Sequence, residues 1–362
     1  MMNELIKVTL WGESHQSSIG ATIENLAPGI KIDLDFIRSQ LKKRQADGRI
    51  STSRVENDDF EIVSGLFNGY TTGTPLTIII KNQNVSSTNY EENKYNLRPS
   101  QADFTSYEKY LGYQDYRGSG HFSGRITAPL VAIGAIAIQI LKSKGIMIGT
   151  HVIKLKDIND DSLLNYSGDL IPLIESMNNQ SFPVLDQVIK EKMVNEILSV
   201  KNDCDSCGAT LESVVYGLPS GIGEPFFNSI ESRISASLFS IPAIKGVEFG
   251  LGFAFSSYNG CQVNDQFIND DGIKTKTNNN GGINGGISNG MPIILKTVVK
   301  PTPSIGKVQK TINYKTKEEV DLAIKGRHDP CIASRIAVII DSMIALSLLD
   351  LLAMRYGYMY MR

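Results

Sequence analysis

Apolar and polar positions alternate across residues 5–10, a period of two that predicts a strand running into Gly12. A second strand is predicted at 19–26, stopped by the turn Ala27-Pro28-Gly29. The spacing then becomes helical: Leu34, Ile37 and Leu41 recur on one face of a segment at 33–44, with Asp33 placed to cap its first turn. Strands follow at 60–64 and 75–81, joined across Gly69 and Gly73. Helices are predicted at 104–113 and 126–144, and residues 145–203 hold a strand, a polar connector and a helix at 184–200. Strand 209–217, helix 231–239, strands 247–250 and 292–300 and a closing helix at 332–352 complete the chain. Two stretches lack periodicity: a polar, basic loop at 45–57, and a connection at 82–101 of a length that compact domains tend to reserve for function. The apolar run 128–141 is too short to span a bilayer, and the run 336–354 carries Asp341 and Asp350, so both read as buried helices. With no internal repeat and no clean linker, the expectation is a single α/β domain over 1–362.

Composition adds little to that picture. A chain that is 41% hydrophobic and 20% charged is globular, and a net charge of −2 gives no reason to expect a nucleic acid or a membrane as partner. The opening Met1-Met2-Asn3-Glu4 runs directly into a polar strand, so no secretory leader and a cytoplasmic enzyme are expected. Cys204 and Cys207 have redox or half-zinc-site spacing, but no second Cys or His pair completes a metal site, and the pair reads as incidental.

Arginine changes the picture more. Of 12 arginines, seven lie between residues 38 and 125 and none between 126 and 232. Arginine is the better bidentate partner for carboxylate and phosphate, so Arg38, Arg44, Arg49, Arg54, Arg98, Arg117 and Arg125 suggest an anionic ligand. Helix-face salt bridges would account for Arg38 but not for Arg98 or Arg117, which sit beside Pro and Gly. Trp11-Gly12-Glu13-Ser14-His15 places an acid, a hydroxyl and one of only four histidines at a strand end. That is material for an active-site turn, the alternative being a capped turn with a solvated histidine. The glycine-rich segment 117–125 feeds a helix N-terminus, where free N–H groups suit an anion; it is neither a Walker loop nor a dinucleotide fingerprint. A second glycine-rich loop, 281–290, suggests backbone packed against a flat ligand or another strand.

Gly12-Glu13-Ser14-His15, Arg98-Pro99 with Ala102-Asp103, Asp115-Tyr116-Arg117-Gly118 and Ser123-Gly124-Arg125 with Thr127 occur in order. The loop 281–290, Lys300-Pro301-Thr302 and Gly326-Arg327-His328-Asp329-Pro330-Cys331 follow. In these motifs, over nearly its whole length, the chain resembles the chorismate synthases. The resemblance implies a β-α sandwich with central sheets and flanking helices, assembled as a homotetramer. It implies a lyase that converts 5-enolpyruvylshikimate 3-phosphate to chorismate by trans-1,4 elimination. Reduced FMN is required without net redox change, and NADPH is at most an indirect reductant. It implies a clamp of Arg44, Arg49, Arg98, Arg125 and Arg327 on the phosphate and carboxylates. His15 would protonate the departing phosphate with Ser14 as relay, and Asp329 would manage the proton at flavin N5. Residues at the flavin would be His121, Phe122, Ser123, Pro242, Ala243, Gly285, Lys300, Pro301, Thr302, Pro303, Ser304 and Arg327.

Some positions depart from the family pattern. Gln101 stands where a second histidine is usual, His121-Phe122 replaces an Arg-Ser pair, Pro242 replaces an Asn, and Ile126 and Asp341 stand where Glu is usual. Glutamine donates a hydrogen bond but carries no proton through neutral pH. Three outcomes follow: an enzyme working with a neutral donor at Gln101, a function moved to His121, or a weakened or silent homologue that still binds FMN and phosphate.

Overall fold

The structure, a computed structural model, describes residues 4–46, 48–52, 56–83, 94–324 and 328–362. Strands β1 (Lys7–Gly12), β2 (Ser18–Glu24), β3 (Phe60–Ser64) and β4 (Leu76–Lys81) form a sheet in the order β1-β2-β4-β3, each neighbour antiparallel. Helix α1 (Leu34–Arg44) leaves this sheet. Asp33 Oδ1 accepts from the N–H groups of Asp35 and Phe36, both at 3.0 Å, and Lys42, Lys43 and Arg44 in the last turn complement the helix dipole. Helix α2 (Asp103–Lys109) and the short turns of Arg117–Phe122 and Gly124–Ile126 lead into α3 (Thr127–Ser143).

The second sheet holds β5 (Met147–Leu155), β6 (Ile158–Asn159), β7 (Ala209–Tyr216), β8 (Ile244–Phe249) and β9 (Ile293–Val299), ordered β8-β9-β7-β5-β6 and antiparallel throughout. Helices α4 (Leu170–Asn178), α5 (Gln187–Asn202) and α6 (Ile230–Phe239) lie within its connections, and α7 (Ala333–Tyr356) closes the fold. Helices α3 and α7 pack on each other between the sheets, α3 against β2 and β4 and α7 against β5 and β7. A Cβ at Gly134 of α3 would stand 2.2 Å from Ser342 Cβ of α7, so this close crossing requires glycine.

Strand alternation sorts the core. Val215, Ile293 and Leu295 join the main apolar cluster with the helix pair, whereas Val214 and Ile294 face the other way and pack with Ile174 and Met177 of α4. Helix α4 falls in the stretch read as a polar connector. It is nine residues long with Pro172 in its first turn, and its apolar side gains a partner only when the sheet forms.

The two apolar runs are the helix pair. Gly124–Ser143 and Ala333–Tyr356 are long and apolar enough to cross a membrane, but their apolar windows are 78% and 100% buried within the fold. The acids that interrupt α7 are buried too. Asp350 accepts the N–H groups of Glu4, Leu5 and Ile6 at 2.9, 2.9 and 2.8 Å and the Arg233 Nη2 at 2.5 Å, anchoring the segment that enters β1. Asp341 accepts the Thr150 hydroxyl at 2.6 Å, and burial pushes its carboxyl up to about 6, against the pull of Thr150 and Lys43.

Candidate active site

A cavity of about 1850 Å³ is bounded by β1, the turn after it, the end of α1, the loops around 94–103 and 114–127, residues 239–245 and 300–304, and the first turns of α7. His15 and Ser14 are buried at its wall. Ser14 Oγ lies 3.0 Å from His15 Nδ1, 3.0 Å from the Gly118 carbonyl and 3.3 Å from the Arg117 carbonyl. Carbonyl oxygens only accept, so they take the single hydroxyl proton, and His15 Nδ1–H donates to Ser14. The neutral ring then carries its exchangeable site on Nε2. Gly118 closes over this pair: its φ is +55°, and a Cβ there would stand 2.2 Å from His15 Cε1 and 2.8 Å from Ser14 Oγ.

Asp329 stands between two donors. The Thr52 N–H donates to Oδ1 at 2.8 Å and Arg335 Nη1 to Oδ2 at 2.6 Å, while Arg335 Nε donates to the Arg44 carbonyl at 2.8 Å. Arg44 Nη2 in turn donates to Asp58 Oδ2 at 3.0 Å, and the other Asp58 oxygen takes Arg125 Nη1. Arg125 Nε also meets Glu56 at 2.6 Å. Burial holds the Arg44 guanidinium below its ordinary range, opposed by Asp58 and reinforced by Arg335 and Arg125. Arg98 grips Asp103 with two nitrogens, at 2.8 and 2.6 Å, and reaches Ser119 Oγ at 3.0 Å. The arginines on this wall are therefore already partnered by carboxylates. Among the described residues, however, Arg44 Nε is buried without a hydrogen bond, as are Gln114 Oε1 and Thr302 Oγ1, and all three residues line the cavity.

Opposite polar groups gather near the other candidate residues. Gln101 Nε2 donates to Ser304 Oγ at 2.9 Å, and Lys300 Nζ donates to the Ser100 carbonyl at 2.8 Å. Burial and the neighbouring Lys245 hold the Lys300 ammonium below its usual range. His121 Nδ1 donates to the Gly12 carbonyl at 2.8 Å. His328 is held below the usual histidine range chiefly by burial, with Arg98 adding to it.

Of the residues expected at the site, Ser14, His15, Arg44, Arg98, Gln101, His121, Phe122, Ser123, Arg125, Pro242, Ala243, Lys300, Thr302, Pro303, Ser304 and Asp329 line this one cavity. Three others do not. Arg49 is exposed, its carbonyl accepting Lys201 Nζ at 2.7 Å, because the chain turns away after α1. Gly285 is at the tip of the hairpin Ile283–Asn284/Ile287–Ser288, with open space about it. Pro301 packs toward Gly208 while its two neighbours face the cavity. Arg327 and Arg54 lie outside the described residues. The pattern along the chain missed Asp58, Arg335 and Gln114: Arg335 reads as one more polar position of a helix, and Asp58 as one more acid of a polar loop.

An exchangeable imidazole, a carboxylate held by donors and a wall of guanidiniums in one deep cavity define an enzyme site for acid–base chemistry on an anionic small molecule. The profile of the chorismate synthase family matches residues 6–353, and the chain belongs to that family of shikimate-pathway lyases. It is 38% identical over 362 residues to the chorismate synthase of Thermococcus gammatolerans, covering 99% of both chains. It is 40% identical over 356 residues to that of Pyrococcus abyssi, covering 98% of both. A crystal structure of chorismate synthase superposes with a TM-score of 0.74 at 26% identity, covering 98% of this chain and 94% of the other.

Proposed function

We propose that this chain converts 5-enolpyruvylshikimate 3-phosphate to chorismate and phosphate by 1,4 elimination in the presence of reduced FMN. The observation that carries this reading is the convergence of His15, Asp329 and Arg44 on one cavity of about 1850 Å³. Pockets for one small molecule measure roughly 300–1,000 Å³, so this volume suits a cofactor beside a substrate. The lining also fits a flavin mononucleotide: Thr302 Oγ1 is a buried hydroxyl without a partner among the described residues, with Lys300 and Ser304 beside it in sequence. Those three, with Gln101, His121, Phe122, Ser123, Pro242 and Ala243, would hold the cofactor. When bound, reduced FMN supplies an electron and recovers it, leaving no net redox change.

The chain's own groups do the rest. Arg44, Arg98 and Arg125 orient the substrate's phosphate and carboxylates, the unpartnered Arg44 Nε being one donor held in reserve. His15 in its protonated form delivers the Nε2 proton to the departing phosphate, while its Nδ1–H stays bonded to Ser14. Asp329, fixed by Thr52 and Arg335, holds the proton lost from the ring. We further place the protein in the cytoplasm as a homotetramer, with any NADPH acting upstream on the flavin. Anaerobic mixing of the protein, photoreduced FMN and the enolpyruvyl substrate tests the reading through chorismate absorbance. Product above the protein-free control supports it; tight FMN binding without product replaces it with a silent flavin-binding homologue.

A further inference from the structure

We infer that Arg335 is a positioning residue that sets the Asp329 carboxylate and the Arg44 end of α1 in register with each other. The inference rests on the reading of Asp329 and Arg44 given above, although neither the motifs nor the arginine cluster pointed to Arg335. Arg335 lies in the first turn of α7, the most deeply buried helix of the fold, so its backbone is the rigid member of the group. Its guanidinium is divided between a loop and the end of α1: Nη1 to Asp329 Oδ2 at 2.6 Å and Nε to the Arg44 carbonyl at 2.8 Å. The second carboxylate oxygen of Asp329 is taken by Thr52 N–H at 2.8 Å. From Arg44 the connection continues through Asp58 to Arg125. Two segments distant in sequence, 44–52 and 329–335, thus meet at one planar cation.

The planarity matters. A guanidinium presents Nε and Nη1 as separate donors in a fixed fork, so one side chain specifies both the direction of the carboxylate and the distance to α1. Lysine carries the same charge as a single compact point and satisfies Asp329 without holding Arg44. A neutral side chain does neither. Arg335 therefore acts through Asp329 and Arg44 rather than on the substrate.

The test compares wild type, Arg335→Lys, Arg335→Met, Asp329→Asn and the Arg335→Met/Asp329→Asn double variant in the anaerobic turnover assay. Substrate binding is followed separately with oxidised FMN. Arg335→Met is expected to lower kcat by roughly a hundredfold, the loss typical of a displaced reacting group, with the substrate Kd changed by less than about threefold. Arg335→Lys recovers roughly tenfold of that loss. In the Asp329→Asn background the Met substitution adds under about twofold, since residues acting as a unit are not additive. A weakened Kd at unchanged kcat, or an undiminished effect in the Asp329→Asn background, overturns the inference. Urea unfolding of wild type, Arg335→Met, Asp329→Asn and the double variant reads the link without turnover: the two single substitutions should fall short of multiplying by roughly fivefold in the unfolding constant. An inactive wild type with that coupling present sinks the proposed reaction and keeps the link; an active wild type matched by Arg335→Met does the reverse.

Discussion

A methyl group at position 118 has nowhere to go: the ring of His15 and the hydroxyl of Ser14 already occupy the space, and the backbone is left-handed there. Gly118→Ala should therefore push the imidazole aside, lowering kcat by roughly a hundredfold with little change in KM. Stopped-flow turnover checks this, and a variant with wild-type kcat would mean that the ring sits elsewhere during catalysis. Position 101 calls for a different argument. Gln101 is engaged with Ser304, and His121 is engaged with the Gly12 carbonyl, so each has a structural task of its own. Gln101→His is expected to raise turnover while His121→Ala leaves it within about twofold; a collapse on removing His121 would instead make it the substitute imidazole. Much of the site was readable residue by residue, because His15, Asp329 and the arginines stand in short motifs beside glycine and proline. Their partners were not. Asp58 neutralises Arg44 and Arg125 from a polar loop whose sequence gives no hint of which cations it will meet, and Arg335 reaches Asp329 across a helix boundary.

Helix α7 shows how an element can be read correctly and its charges misjudged. Its apolar run announces a buried helix, and its two acids look like interruptions that keep it out of a membrane. In the fold both are enclosed and used. Asp341 titrates in the folded protein at about 6, against about 4 for an unfolded aspartate. Between those values the native state holds more protons than the unfolded state, so stability falls as pH rises from about 4 to about 6, by roughly 2–3 kcal/mol. Asp341→Asn can keep the Thr150 bond, and it should raise the urea midpoint at pH 8 while leaving it unchanged near pH 4. Equal midpoints for both proteins at pH 8 would show that the carboxylate is better solvated than its burial suggests. Asp350 works in the opposite sense, as an acceptor for three backbone N–H groups and Arg233. Asp350→Ala removes the closer and buried of the two carboxylates at Arg233, leaving the exposed Glu4 at 3.6 Å, and should cost about 3 kcal/mol in the same measurement. Strand and helix periods were legible because they reflect one-sided burial. Short α4 was not, since its partner surface is created by strands far along the chain. Nor does the Cys204/Cys207 spacing tell where either thiol goes: Cys204 is exposed, whereas Cys207 is buried and its N–H donates to the Pro330 carbonyl at 2.8 Å, next to Cys331 in sequence.

At the scale of the whole molecule, the cavity is where the two sheets and the helix pair share an edge, and its walls come from segments spread over most of the chain. No one segment holds the site alone, so a ligand that touches several of them stabilises the native fold as a unit. Ligand present at about 100 times its Kd adds roughly 2.7 kcal/mol, a shift easily read in thermal unfolding. Thr302 separates this effect from ordinary packing. Its buried hydroxyl makes no hydrogen bond among the described residues, so removing it should cost nothing without ligand and relieve an unsatisfied polar group. Thr302→Val conserves the shape of the side chain. It should therefore unfold at the same temperature as wild type or slightly higher without ligand, yet lose much of the upward shift that FMN and substrate together give wild type. A variant that loses stability without ligand would place the hydroxyl in the structural network. One that keeps the full ligand-dependent shift would remove Thr302 from the flavin site.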